Sequence, residues 1–404
     1  MNTVALSWRY LTARPLAAAL NVLLLALALA SITVVLLTRA QVDRAFERDL
    51  AGIDVVVGAK GSPLQLILAG VFHLDVPSGN IALADVKALQ AHPQVAELIP
   101  LSLGDSWRGH RIVGTTPAYV QHYGATVAQG GLWAAPLQAV LGAHVAQAKN
   151  GVPAMKVGDQ FVGSHGLGGG GHLHGNQPYT VSGVLAPCGC VLDRLVLTSL
   201  ESVWAVHEGD IAQDDEDRAA LAAEREVTLA LIRYKSPLAA VSFPRFVNTT
   251  TPMQAAAPAV EITRLLRLVG VGSDLLRGFG AVLLAVASLS VFIALWHAVR
   301  ERRADLAMLR MLGAPPRRVA ALLLAEAGWL ALLATVLGLA LGHGLTSLLG
   351  WLVPSDQAMG LTGALLLADE LWVPVWAFGV ATLAALLPAW QAYRVDVAEL
   401  LNPV

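Results

Sequence analysis

The sequence predicts a membrane protein of the α+β class: four transmembrane helices, with a large α+β extracytoplasmic domain inserted between helices 1 and 2. Three observations predict it. The 404-residue chain is 55% hydrophobic yet 14% charged, with mean hydropathy +0.60, too apolar for an ordinary soluble enzyme and too charged for a wholly buried bundle. Apolar runs long enough to cross a bilayer, which takes roughly 20 residues, occur four times. Arginines gather at alternate ends of those runs and give one consistent orientation.

Taken in order, residues 1–15 are expected in the cytoplasm, with Arg9 and Arg14 ahead of a first span at 16–38. That run is longer than a signal-peptide core and no A-x-A site follows, so an uncleaved anchor is expected. Residues 39–277 form the external domain. Strands are expected at 53–57 (IDVVV), 111–114, 179–185 and 227–234, and helices at 64–71 and at 84–91, the latter ended by His92-Pro93. The acidic stretch 211–226 has a helical pattern and reads as a solvated face. At the two ends, 39–50 and 261–276 keep helical spacing and are expected to rise as stalk helices that carry movement outward.

The second span is placed at 278–299, a cytoplasmic loop at 300–318, the third span at 319–350, a short outer loop at 351–370, the fourth span at 371–390 and a cytoplasmic tail at 391–404. Six arginines (Arg300, Arg302, Arg303, Arg310, Arg317 and Arg318) crowd the loop, and the outer loop carries only acidic charge. Both termini are therefore expected inside an inner, or plasma, membrane. A net charge of -2 gives no sign of nucleic-acid binding.

Residues 300–326 read RERRADLAMLRMLGAPPRRVAALLLAE. Leu306, Leu309 and Met311 give a short helix with an apolar face, Gly313 suits a left-handed cap, and Pro315-Pro316 break the chain before the next helix. Such a helix suits docking into a groove on another protein, or anchoring to anionic lipid. The stretch resembles the loop of the FtsX-like permeases, a superfamily that includes the MacB macrolide exporter and the lipoprotein-release permeases. Arg303, Leu306, Leu309, Arg310, Leu312, Gly313, Ala314 and Glu326 fall on the family pattern. Pro388, Ala389, Ala392, Arg394 and Leu400 match the family's ending, with Val397 where proline is frequent. Residues 53–75 are similar to the start of the external domain in one branch.

The resemblance implies a dimer of this permease bound to a separate cytoplasmic ABC ATPase, received by the loop helix through Arg303, Leu306, Leu309, Arg310, Leu312 and Gly313. ATP and Mg²⁺ would belong to that partner chain. GAKGS at 58–62 is not a Walker A motif, since Lys60 precedes Gly61, and no nucleophile–base pair or H-E-x-x-H is present, so this chain is not expected to be an enzyme. The work done outside would serve zinc homeostasis, lipoprotein release or small-molecule export, with a periplasmic adaptor or substrate-binding protein as further partner. The alternative is a non-transporting regulator that activates a periplasmic partner such as a cell-wall hydrolase.

Two polar features remain. Glu326 falls roughly 12 Å along the third helix from Arg318, where a carboxylate is costly unless paired or protonated. It reads either as a structural bond to Trp, Ser, Thr or His on a neighbouring span or as a proton or substrate relay. With no basic residue inside the spans, the structural bond is expected, as for Asn21 and His297. The external run SHGLGGGGHLHG carries His165, His172 and His174, and CGC follows with Cys188 and Cys190. Three readings fit: a zinc or copper site, a local disulfide, or a polar loop without special chemistry.

Overall fold

The computed structural model describes residues 3–148, 153–166, 177–208, 215–352 and 361–394. Its contacts divide the chain into a helical unit that contains the long apolar helices and an α+β unit built from residues 43–268.

In the helical unit, four helices are long and apolar enough to cross a membrane: Pro15–Leu50, Asp274–Glu301, Pro316–Leu352 and Ala368–Tyr393. The second is the end of one continuous helix, Pro258–Glu301. Leucine, alanine and valine satisfy their own backbones in helical form, which lipid requires. Small residues let the helices approach. Gly338 and Gly342 form a G-x-x-x-G pair on the third span, and a Cβ at Gly342 would come within 2.6 Å of Thr33 Cβ, one at Gly338 within 2.8 Å of Leu29 Cβ. Asn21 accepts a hydrogen bond from Ser290 Oγ at 2.8 Å, tying the first span to the second. The N-terminal segment, expected only as a cytoplasmic N-terminus, is a helix, Thr3–Thr12. Leu11 joins the bundle core and Trp8 meets Trp329 edge-on.

The α+β unit is organised by a sheet of eleven strands among the described residues. Strand Val95–Trp107 is its hinge. Its first half pairs antiparallel with Leu229–Tyr234, which in turn pairs with Val55–Ala59 and that with Met253–Ala256. Its second half forms a hairpin with His110–Thr115 across Arg108-Gly109, both at positive φ as a two-residue turn of this hand requires. The sheet continues through Val196–Ser199, Gln138–Leu141, Tyr179–Leu185 and Val127–Gly130. One core packs Val55, Val57, Ile232 and Phe243; a second packs Trp107, Ile112, Phe161 and Tyr179.

Two sequence expectations need correcting. The strand expected at 227–234 breaks at Thr228: Glu226–Val227 pairs with Ile81–Ala82 in a separate ribbon, and only Leu229–Tyr234 joins the large sheet. The acidic helical pattern at 211–226 is helical over Asp215–Ala223 and turns to strand at Glu226.

Candidate functional site

The loop between the second and third apolar helices folds as a short helix, Arg303–Met311. It ends because Gly313 takes φ +93°, in the left-handed region. The Gly313 amide donates to Arg310 O and the Ala314 amide to Leu309 O, the paired bonds of a Schellman cap. Pro316 then opens the next helix at its first position, where the missing N–H costs nothing.

The helix has two faces. Leu306 is 2% exposed and Ala307 4%, both turned inward, and Leu306 packs with Val319, Leu322 and Leu323 in the bundle core. Leu309 is half-buried against the same core. Met308, Met311 and Leu312 face outward at 55%, 56% and 79% exposure. Arg303 and Gly313 are exposed and Arg310 half-buried. Leu306 is therefore a packing residue and not an outward knob. A helix this short offers one face to its bundle, and Leu306 lies at the centre of that face. The exposed apolar positions instead follow Ala304, Met308 and Met311 at i, i+4, i+7 spacing, a signal present in the sequence beside the leucines.

Glu326 is held by a residue that sequence reading assigned to the loop. Arg302 Nη1 donates to Glu326 Oε1 at 2.8 Å, with the two side chains 12% and 4% exposed. Arg302 also donates through Nη2 to Tyr10 O at 3.1 Å and lies over the Tyr10 ring. The expected partner, a Trp, Ser, Thr or His on a neighbouring span, is replaced by a guanidinium folded back from the loop. Arg302 sits at the helix N-cap, where the chain reverses, and its long side chain reaches inward from there. Arg14 and Glu301 form a further ion pair beside it.

The family model of the MacB-like periplasmic core domain matches residues 18–237, and that of the FtsX-like permease C-terminal region matches residues 277–397. The chain belongs to the MacB/FtsX-type ABC-transporter permeases. No curated protein matches this permease. Two solved structures are similar to it. One is the crystal structure of the periplasmic region of MacB from Actinobacillus actinomycetemcomitans, 11% identical over 54% of this chain and 95% of that one, with a TM-score of 0.35. The other is the extracellular domain of the noncanonic ABC-type transporter YknZ from Gram-positive bacteria, 12% identical over 50% of this chain and 98% of that one, with a TM-score of 0.31.

In the permease's external domain, residues 53–75 form strand Val55–Ala59, helix Pro63–Gly70 and a buried turn. Two arginines pin that turn. Arg111 donates to Asp75 O at 2.7 Å and Arg194 to Phe72 O at 3.1 Å. Between them His73, at φ +54°, places Nε2 2.9 Å from the Tyr119 hydroxyl. Burial pushes the His73 imidazole well below the usual histidine range, and the charges of Arg111 and Arg194 push it the same way. Burial also lowers Arg111, to about 10.

Among the described residues, the expected metal ligands His165, Cys188 and Cys190 do not come together as a set. Cys188 and Cys190 are bonded to each other, so neither offers a thiolate. Residues two apart meet here because Gly189 takes φ +65° and Asp193 gathers the turn, accepting from the amides of Cys188 and Gly189 at 3.0 and 2.7 Å. His172 and His174 lie outside the described residues. His165 is placed in a short strand, Ser164–His165, next to Asp105 and His207. Nothing in the spacing of Asp105, His165 and His207 along the chain joins them; only the fold does.

Proposed function

We propose that this permease couples ATP hydrolysis by a separate cytoplasmic ABC ATPase to conformational work in its external domain. The carrying observation is the outward apolar face of Met308, Met311 and Leu312 on a capped helix between the second and third spans. Arg303, Arg317 and Arg318, which flank that segment in the chain, are exposed. Apolar knobs flanked by cations suit a groove with an acidic rim. The Arg302–Glu326 pair ties the start of this helix to the third span, so a pull on the helix is felt inside the bundle. The distribution of arginines supports cytoplasmic termini and a periplasmic 39–277 domain, and the family supports a dimer of the chain.

Tagged full-length permease is expected to co-purify an ATP-photolabelled subunit from native membranes. Met308→Asp with Leu312→Asp should abolish that association while leaving the permease folded and membrane-inserted. Retained association in this double variant overturns the docking role.

A further inference from the structure

Three chemistry-bearing residues distant in sequence meet on the surface of the external domain. In the antiparallel pairing of Val95–Trp107 with Ser164–His165, Asp105 stands opposite His165. That register brings Asp105 Oδ1 to 3.0 Å from His165 Nδ1. Helix Leu200–Glu208 supplies His207 from its last turn. His207 Nδ1 lies 2.8 Å from Val203 O. A carbonyl only accepts, so Nδ1 carries a proton and Nε2 is the nitrogen left to ligate a metal ion. Nε2 faces the same carboxylate oxygen, 4.0 Å away.

We infer that Asp105, His165 and His207 form a binding site for a divalent transition-metal ion of the zinc class. Ligand atoms from the three residues all lie within 4.8 Å of one another. Ligands at about 2.0–2.2 Å from a tetrahedral ion are about 3.3–3.6 Å apart, and the separations of 3.0 and 4.0 Å bracket that spacing. Small side-chain rotations close the set. Two imidazoles and a carboxylate suit zinc and its neighbours in the divalent series, and not calcium or magnesium, which take oxygen. The Nδ1–H bond of His207 to a backbone carbonyl is the outer-shell support that orients a ligating imidazole. The helix C-terminus beneath it favours a cation.

Asp105 is 4% exposed while the two histidine side chains are 45% and 39% exposed. The carboxylate therefore anchors from below and the imidazoles reach to solvent. Among the described residues these three supply the ligands, and a tetrahedral zinc ion takes four, so one further position falls to water, a partner's ligand or another side chain. The site needs neither the disulfide sulfurs nor the ATPase, so it stands or falls separately from the coupling role.

The test uses full-length permease in detergent, stripped with chelator and titrated with zinc chloride against a chromophoric chelator. Wild type should bind one zinc ion per chain at this site. Asp105→Asn and His207→Gln should each weaken binding by more than about a hundredfold, beyond the 10–100-fold that loss of an outer-shell partner produces. Cobalt should give visible ligand-field bands in wild type that both variants lose. His172→Ala with His174→Ala should keep the wild-type affinity. If wild type binds no zinc, or if Asp105→Asn and His207→Gln keep full affinity, the proposal is overturned and the histidines serve only as hydrogen-bond partners of the carboxylate. Loss confined to the His172/His174 variant overturns it equally. Should Asp105→Asn fail to fold, the His207→Gln arm decides: zinc should raise the thermal midpoint of wild type and not of this variant.

Discussion

Arg302 and Glu326 carry opposite charges in surroundings that penalise either alone. Removing one partner strands a buried ion, which typically costs about 3–5 kcal/mol, whereas replacing both with apolar groups of similar size is far milder. Arg302→Ala should therefore lower the thermal midpoint of detergent-solubilised permease sharply. The double variant Arg302→Met with Glu326→Leu should recover most of the loss. A double variant as unstable as the single one would sink the pairing argument. His73 makes a pH prediction in the external domain. It is held neutral in the fold, while the unfolded ring titrates at about 6.5. Below that pH the unfolded state binds more protons, so the stability it contributes is fully present above about 6.5 and declines as pH falls. The permease should melt at lower temperature at pH 5 than at pH 7.5. Asn in place of His73 tolerates the positive φ and should shrink that difference; an unchanged pH profile in His73→Asn would remove His73 as its source.

At the scale of elements, close approach and continuity decide what each helix does. The first and third spans approach until a Cβ at Gly342 would overlap Thr33. Gly342→Leu must push the helices apart, since no flexible side-chain end can move aside. It should lower folded yield and thermal stability, where Gly344→Leu, whose Cβ would meet nothing within 4 Å, should be mild. The ranking of the two by gel-filtration recovery tests the assigned faces. Helix Pro258–Glu301 is unbroken through Val271. If it acts as a stalk, two glycines inserted after Val271 should abolish ATP-dependent spin-label distance changes in the external domain while ATPase association persists. Unaltered distance changes would show that movement reaches the domain by another route.

For the whole molecule, the prediction concerns sidedness. Its only two cysteines are bonded to each other, so a single introduced thiol reports cleanly. Asp217→Cys should react with an impermeant maleimide from outside spheroplasts, and Arg317→Cys only after permeabilisation. The reverse pattern would overturn the arrangement of spans and with it the cytoplasmic docking of the loop helix.

The four apolar helices and the Gly313 cap were legible in the chain because each depends on neighbouring residues: hydropathy over one helix length, and a glycine followed by prolines. The strands at 111–114 and 179–185 carried β-branched runs bounded by glycine and proline, and they fold as such, to within a residue at either end. Strand Val95–Trp107 was missed because Pro100 and Gly104 interrupt its pattern; Pro100 sits one residue before the change of partner strand, and at Gly104 the register with His110–Thr115 shifts. Arg302 was one arginine among several until the chain reversal aimed it at Glu326. Local sequence thus determined that the chain carries four helices long and apolar enough to cross a membrane, and which short helix stands between the second and third of them. Tertiary structure alone decided which face of that helix is outward, what neutralises Glu326, and that Asp105, His165 and His207 share one place. The physical reason is range: hydropathy and backbone caps act within one turn or one span, whereas ion pairs and ligand sets form between residues that only the folded register and packing bring within a few ångströms.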